Sequence, residues 1–483
     1  MTYHYVLEHE GKPHAKYFEE VSQIPRGSFK EQAISDYVVD FAKKRGLYYR
    51  RDESNNVLIR KPATPGYEDH DTVLLQGHMD MIQTKIPGST FDFDNEPLDF
   101  VIKDGYLMAK ETTCGSDDGV AIAYMLAILD DDELQHPEIE CVFTTAEEAG
   151  LVGALNFDCS DLHAKKYINM DGNLEGTSLV IASGSIGGEF IRNFGREKAP
   201  GNYLMKISIG GFTGGHGSNA IGKELSNAIK ASGRILYYIN REVPLRLVSL
   251  NGGNMTTIAN WADITIAIDP SGAEKAEAIA KSVIDDIREE HKESEHNIHI
   301  EVSGSDAGEL MAMDEESTAA VIKLLMLITS GLISSNLTYK GVPLTSANLE
   351  MCTTSESDIV IRYRPRSAYA SRLHLFKDEL ELLGKLCGIE YHAHQMYYGH
   401  NVPVGSPLFQ VYNEVWKEMT GEEVRGVAAH FGNEIGTFMS KKPGMDMILL
   451  VATHFDAHTP RERLDLASFD RCYECLKRIL ERI

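Results

Sequence analysis

Along residues 1–183, short apolar runs alternate with stretches of helical spacing. Residues 57–61 and 72–76 are brief β-rich runs, 100–110 reads as a hairpin about Asp104-Gly105, and 139–145 and 166–170 read as buried strands, with a helix over 118–131. Buried strands separated by helices predict an α/β sandwich around a mixed or parallel sheet. From about Gly184 the pattern changes. Residues 203–210 alternate as a half-exposed strand, 226–240 are helical, 264–268 form a strand, and 273–292 form a long charged helix. A similar order then recurs: strand 299–303, helix 315–329, strand 358–363, helix 371–387. After Gly399 the first style returns, with helix 408–419, buried strand 445–451 and a closing helix from Ala467 to Ile483.

The simplest organisation is one α/β domain, a mixed sheet sandwiched by helices, built from residues 1–183 and 398–483. An inserted α+β domain, residues 184–397, interrupts it, and its strand-then-helix order, seen twice, suggests an internal duplication. At 483 residues two domains are in any case expected.

Composition narrows the function without choosing it. No apolar stretch approaches the roughly 18 residues needed to span a bilayer, and the N-terminus lacks the charged-then-apolar layout of a signal peptide. A cytoplasmic protein with no membrane partner is expected. A net charge of −25, without a basic stripe, argues against a nucleic-acid partner. Seven scattered cysteines form no disulfide framework, and the Cys472/Cys475 pair lies on the closing helix, where it reads as ordinary helix residues.

Five segments carry candidate chemistry, each near a predicted strand end or helix start, where open α/β sheets bind ligands. In Gly77-His78-Met79-Asp80, the histidine is a potential metal ligand whose second ring nitrogen Asp80 would hold; alone, an HxD in a loop is weak. Gly115-Ser116-Asp117-Asp118-Gly119 opens a helix. An aspartate there is a routine cap, but two between glycines exceed what a cap needs, and the glycines let something approach the backbone closely. Glu147-Glu148 sets adjacent carboxylates at a strand end, either a solvated acidic helix start or a metal ligand beside a general base. Asp171 follows another strand. His454 and His458 follow the last one, and His458, before Thr459-Pro460, is the better ligand candidate. Together these histidines and carboxylates, without a thiolate, suit a catalytic zinc site, and a spare carboxylate able to bridge suits two ions about 3.5–4 Å apart.

These segments, with NNVLIRKPAT, LLQGHMDM, GSDDG, TTAEEAG, GGFTGGHGS, NGGN and HFGNEIG…GMDMILLVATHFDAHTP, run nearly end to end, and with them the chain resembles a known family. This is the two-zinc aminopeptidase, dipeptidase and deacylase family that includes glutamate carboxypeptidase; within it, the likeness is to the aminoacyl-histidine dipeptidases. The resemblance implies two zinc ions per subunit, with manganese or cobalt able to substitute. His78 and Asp171 would hold one ion, Glu148 and His458 the other, and Asp117 would bridge. Glu147 would be the general base and Asp80 would orient His78. The Asp117–Asp118 peptide would be cis and the inserted domain a lid. His216 would bind substrate and the oxyanion, and Arg362 the substrate carboxylate, with Arg364 and Arg366 as competitors. Glu434 and Gly436 would lie in a loop bordering the pocket. The implied reaction is hydrolysis of small dipeptides, Xaa-His favoured, by a homodimer. Thr257 stands where the subgroup has asparagine, and Gly172-Asn173 departs from relatives as well, so side-chain preference is open. The rivals are an N-acyl amino acid deacylase or tripeptidase on the same fold, and a non-catalytic scaffold.

Overall fold

The computed structural model describes residues 5–483. The chain forms two compact units: Met1–Ile181 with His400–Val427 and Asn433–Ile483, and Ala182–Gly399 with Ala428–Gly432.

In the first unit a six-stranded sheet runs in the order Tyr48–Arg51, Val57–Lys61, Ile139–Thr144, Val73–His78, Lys166–Asn169, Asp446–Leu449. The first two pairings are antiparallel and the last three parallel, so the sheet is mixed. Val73–His78 and Ile139–Thr144 are buried along their whole length, as near-continuous apolar runs covered on both faces must be. Helix Ser116–Asp130 packs on this sheet. Its ten residues Val120–Leu129 are all apolar and buried, and each large side chain so buried contributes roughly 1.5–3 kcal/mol. A Cβ on Gly77 would fall 2.2 Å from the Ala121 Cβ, so glycine is what lets this helix lie so close to the strand. The closing helix, Leu466–Leu480, buries Cys472 and Cys475, and all seven cysteines are free and buried.

Parallel pairing has a consequence for the site. Val73–His78, Ile139–Thr144, Lys166–Asn169 and Asp446–Leu449 end on the same edge of the sheet, and the chain leaving each end carries a candidate ligand. A separate four-stranded sheet, His454–Phe455, Arg463–Asp465, Tyr106–Ala109, Phe100–Lys103, gathers the base of the His458 loop and the hairpin leading to Asp117.

The second unit is built on a nine-stranded, wholly antiparallel sheet. Four strands (His299–Asp306, Tyr203–Gly210, Ala262–Ile268, Leu245–Gly253) join four others (Pro343–Thr354, Asp358–Ser367, Gly184–Asn193, Glu390–Tyr397) through a short seam at Gly252 and Gly253, and Gly331–Ser335 adds to Pro343–Thr354. Helices Ala228–Glu242, Ala273–Glu290, Glu315–Leu327 and Ala370–Cys387 supply the apolar faces of its core.

Several elements lie outside the sequence expectation: helices Pro13–Ser22 and Gln32–Arg45 and strands Gly184–Asn193, Leu245–Gly253, Pro343–Thr354 and Glu390–Tyr397. Residues 428–432, expected with the α/β part, group with the second unit. The reason is His430, whose ring is held at one nitrogen by the Ser183 hydroxyl at 2.8 Å and at the other by the Ser346 hydroxyl at 2.7 Å. No helix among the described residues is long and apolar enough to cross a membrane.

Candidate metal centre

His78 is the last residue of its strand and is buried. Its Nδ1 faces the backbone oxygen of Asp80 at 3.1 Å and the Asp80 carboxylate at 3.4 Å, so Nε2 is the ring atom turned outward. Asp80 does more than face the ring. Its carboxylate also accepts the N–H groups of Glu147 at 3.0 Å and Glu148 at 3.2 Å, and the Ser28 hydroxyl at 2.7 Å. One buried aspartate thus ties the loop after Val73–His78 to the loop after Ile139–Thr144.

Asp117 stands in the first turn of helix Ser116–Asp130 with non-helical torsions, φ −88° and ψ 103°, and the Asp117–Asp118 peptide is cis. Its carboxylate is shared. Oδ1 lies 3.0 Å from His78 Nε2, and Oδ2 lies 3.2 Å from His458 Nε2. His458 has a left-handed backbone, φ 66°, one of the few non-glycine residues to do so, and such strain gathers at functional sites. Its Nε2 is also 2.8 Å from Glu148 Oε1, yet that oxygen is buried without a hydrogen-bond partner. The two atoms are close but not aligned to share a proton. One ligand atom from each of His78, Asp117 and Glu148 lies within 4.8 Å of the other two.

The electrostatics describe a pocket that draws positive charge. Burial and the charge of Asp117 push Asp171 up to about 7, with Glu148 adding to the rise while His78 and His458 oppose it, so Asp171 belongs to the same cluster. Burial raises Glu147 well above the usual carboxylate range, with Asp171, Glu434 and Glu148 adding to it. His458, hydrogen-bonded to Asp117 and close beside the Glu148 carboxylate, is pushed up to about 10. Burial works against the charge on His78, but Asp117 and Asp80 hold it well above the ordinary histidine value. Asp117 goes the other way: burial opposes its ionisation, and His458 and His78 hold it well below the usual range.

These residues fit divalent metal. Ligand atoms on one zinc stand roughly 3.4 Å apart at metal–ligand distances of about 2.1 Å, and the contacts above fall near that spacing. The unpartnered Glu148 oxygen and the imidazole nitrogen aimed beside it suit a cation between them. The donor set, imidazole and carboxylate without thiolate, suits a catalytic divalent metal, and a carboxylate with one oxygen toward each histidine has the form of a bridge.

Other site candidates lie elsewhere or differ from expectation. Glu434 and Gly436 are not in a loop but in the first turn of helix Glu434–Lys441, and both are buried. Glu434 accepts from Gln76 and, at 2.7 Å, from Thr144, its other oxygen has no hydrogen-bond partner, and burial pushes it up to about 7. In the second unit, His216 is exposed on the short strand Gly215–His216, with Nδ1 2.6 Å from the Ser218 hydroxyl. Partial loss of solvent around its ring lowers its pKa, and so do Arg366 and Arg364. Arg362 is paired with Glu189 at 2.8 Å and Arg364 with Glu350 at 2.8 Å, whereas Arg366 donates to the Tyr397 hydroxyl at 2.9 Å. His454 is buried in strand His454–Phe455. Sequence reading gave no role to Gln76, Thr144, Arg26 or Glu462, all buried polar side chains; Gln76, two residues before His78, and Glu462, four after His458, stand beside candidate ligands.

Known proteins are similar to this chain in sequence and in fold. Residues 74–482 match the model of peptidase family M20/M25/M40. The cytosol non-specific dipeptidase of Escherichia coli is 30% identical over 468 residues, 96% of each chain. The crystal structure of aminoacylhistidine dipeptidase from Vibrio alginolyticus superposes with a TM-score of 0.88 at 28% identity, covering 98% of this chain and 96% of that one. The aminopeptidase PepT of Bacillus cereus shares the fold at a TM-score of 0.54 and 16% identity, covering 97% and 98%. With a family match over most of its length and a relative matched end to end, this chain belongs to peptidase family M20/M25/M40.

Proposed function

We propose that the chain is a metal-dependent dipeptidase, working with two zinc ions per subunit for which manganese or cobalt can substitute, and that it prefers Xaa-His dipeptides. The observation that carries the reading is the Asp117 carboxylate, one oxygen toward His78 and the other toward His458. His78 and Asp171 would hold one ion, Glu148 and His458 the second, with Asp117 between. Bound there, the ions would supply Lewis acidity for the scissile carbonyl and acidify water toward neutral pH.

The chain's own residues do the rest. Glu147, its carboxyl raised by burial and neighbouring carboxylates, takes a proton from the attacking water and returns it to the leaving amine. Asp80 keeps His78 Nε2 facing outward and holds the Glu147–Glu148 backbone in register with it. In the second unit, read as a lid on family resemblance, His216 would bind substrate and an arginine would grip its carboxylate. Arg362 is the family-matched arginine; Arg366, with no carboxylate partner among the described residues, competes with it. A homodimer is proposed on the same resemblance.

A dipeptide panel tests the reading. Metal-stripped protein should be inactive, and zinc, manganese or cobalt should restore cleavage of free dipeptides, Xaa-His foremost. Preferential cleavage of N-acetylated amino acids would replace dipeptidase with deacylase. No hydrolysis with any of these metals would leave the scaffold alternative standing.

A further inference from the structure

The glycines of Gly115-Ser116-Asp117-Asp118-Gly119 invite close approach, and what approaches them is a side chain of the protein itself. A Cβ on Gly115 would fall 2.5 Å from Arg26 Nη2, and one on Gly119 would fall 2.8 Å from the same atom. Arg26 is among the largest fully buried side chains. Its Nη2 donates to the Gly115 carbonyl at 2.6 Å, and its Nη1 to the carbonyls of Met79 and Asp80, both at 3.1 Å. One guanidinium therefore spans the loop of His78 and the loop of Asp117.

The other side of the Asp117 loop is held by Glu462, also buried. Oε2 accepts the N–H groups of Cys114 at 3.0 Å and Gly115 at 3.1 Å. Oε1 accepts the Ser116 N–H at 2.8 Å, the Ser116 hydroxyl, and the Asp117 N–H at 3.4 Å. Four consecutive amides converge on one carboxylate, as they do around anions at helix N-termini, and left-handed Gly115, φ 65°, makes that convergence possible. Glu462 lies four residues after His458, joined to it by a turn closed through its own N–H to the Thr459 carbonyl at 3.0 Å. A simple helix cap would not need to arise from the loop of another ligand.

We propose that Arg26 and Glu462 are positioning residues that clamp the Gly115 peptide from opposite sides, so that the loops of His78, Asp117 and His458 present their ligand atoms together. Neither is among the proposed ligands. Their contribution is orientation, the kind of support whose loss typically weakens metal affinity about 10–100-fold. This inference rests on the metal-centre reading above.

The test uses the full chain, stripped of metal and titrated with zinc against a chromophoric chelator, with thermal unfolding of each metal-free protein in parallel. Glu462→Gln keeps shape but removes the charge, and Arg26→Met keeps bulk but removes the fork. Each folded variant should bind zinc about 10–100-fold more weakly than wild type, gain less thermal stability on adding zinc, and at saturating zinc lose kcat with KM held. Zinc affinity equal to wild type in a folded variant overturns the proposal, whatever the melting temperature does. If either variant fails to fold, Ser116→Ala removes a single donor to Glu462; it should still weaken zinc severalfold, and unchanged affinity there overturns the clamp. A wild-type chain that binds no zinc would sink the metal-centre reading itself, a separate outcome.

Discussion

Asp117 offers one carboxylate oxygen to each of two histidines, and at the scale of single residues this sharing sets the expectations. Replacing Glu147 with glutamine removes the proton carrier and leaves the ligands in place. Turnover should fall about 10²–10⁴-fold with metal content unchanged, by steady-state kinetics beside metal analysis of the same sample. Retained turnover would remove Glu147 from the mechanism. Metal binding should also depend on pH with a calculable sign. A metal takes neutral imidazole and ionised carboxylate, so the metal-free cluster must release the protons of His458, held up to about 10, and of His78, held well above its ordinary value, and below about pH 7 that of Asp171 as well. Observed affinity should therefore rise with pH, and more steeply below 7, where Asp171 adds a proton to be released, than just above it. Chelator competition from pH 5.5 to 9 measures it, and a flat profile would contradict the cluster. Most of these residues were visible in the sequence because each stands beside a strand end or helix start with a glycine or a second acid next to it. Arg26 was not, since it binds carbonyls contributed by residues about 50 and 90 positions away.

Elements bring these residues to one place. Parallel strands end on one edge, so His78, Glu148 and Asp171 follow from direction alone, while the small sheet uniting His454–Phe455, Arg463–Asp465 and the hairpin Phe100–Lys103/Tyr106–Ala109 delivers the His458 and Asp117 loops. At Gly77 strand and helix lie close together: an added methyl would meet Ala121 Cβ at 2.2 Å and Asp118 Oδ2 at 2.4 Å. Gly77→Ala should cost about 1–3 kcal/mol of stability through overpacking and lower zinc affinity by pushing the Asp117 turn away. Chemical denaturation and zinc titration of that variant measure both effects, and wild-type values in both would mean that the helix moves freely. Strand Pro343–Thr354 shows why some elements escaped the sequence. PLTSANLEMCTT reads as polar, yet Ser346, Asn348 and Glu350 are buried because His430, the Thr257 carbonyl and Arg364 satisfy them. Hydropathy patterning does not see partners supplied from far along the chain.

Across the whole molecule, the return of residues 428–432 to the second unit makes His430 part of that unit's stability. Burial, helped by Arg366, lowers its pKa to about 3, against about 6.5 when unfolded. The unfolded chain takes up the proton first, so the stabilising effect is complete above about pH 6.5 and is lost as pH falls toward 3, at about 1.4 kcal/mol per unit. Urea unfolding of the second unit as a function of pH should show that slope, and His430→Gln should remove it. The same slope in the variant would assign it to other groups. Zinc stabilises differently: bound only to folded chain, it should raise the unfolding temperature with concentration, and chelation should reverse the gain.

What the sequence determined by itself was local: the α/β style of the two outer segments, the α+β style between them, and which short segments carry imidazole or paired carboxylates. These depend on hydrophobic period and on residues within a few positions of one another. Only the tertiary structure decided that Asp117 lies between two histidines, that the glycines beside it seat a guanidinium, that Glu434 opens a helix, and that residues 428–432 join the second unit. Each of those depends on the pairing of strands and the burial of charge between segments distant in sequence, and the pattern of a single stretch carries no record of its distant partners.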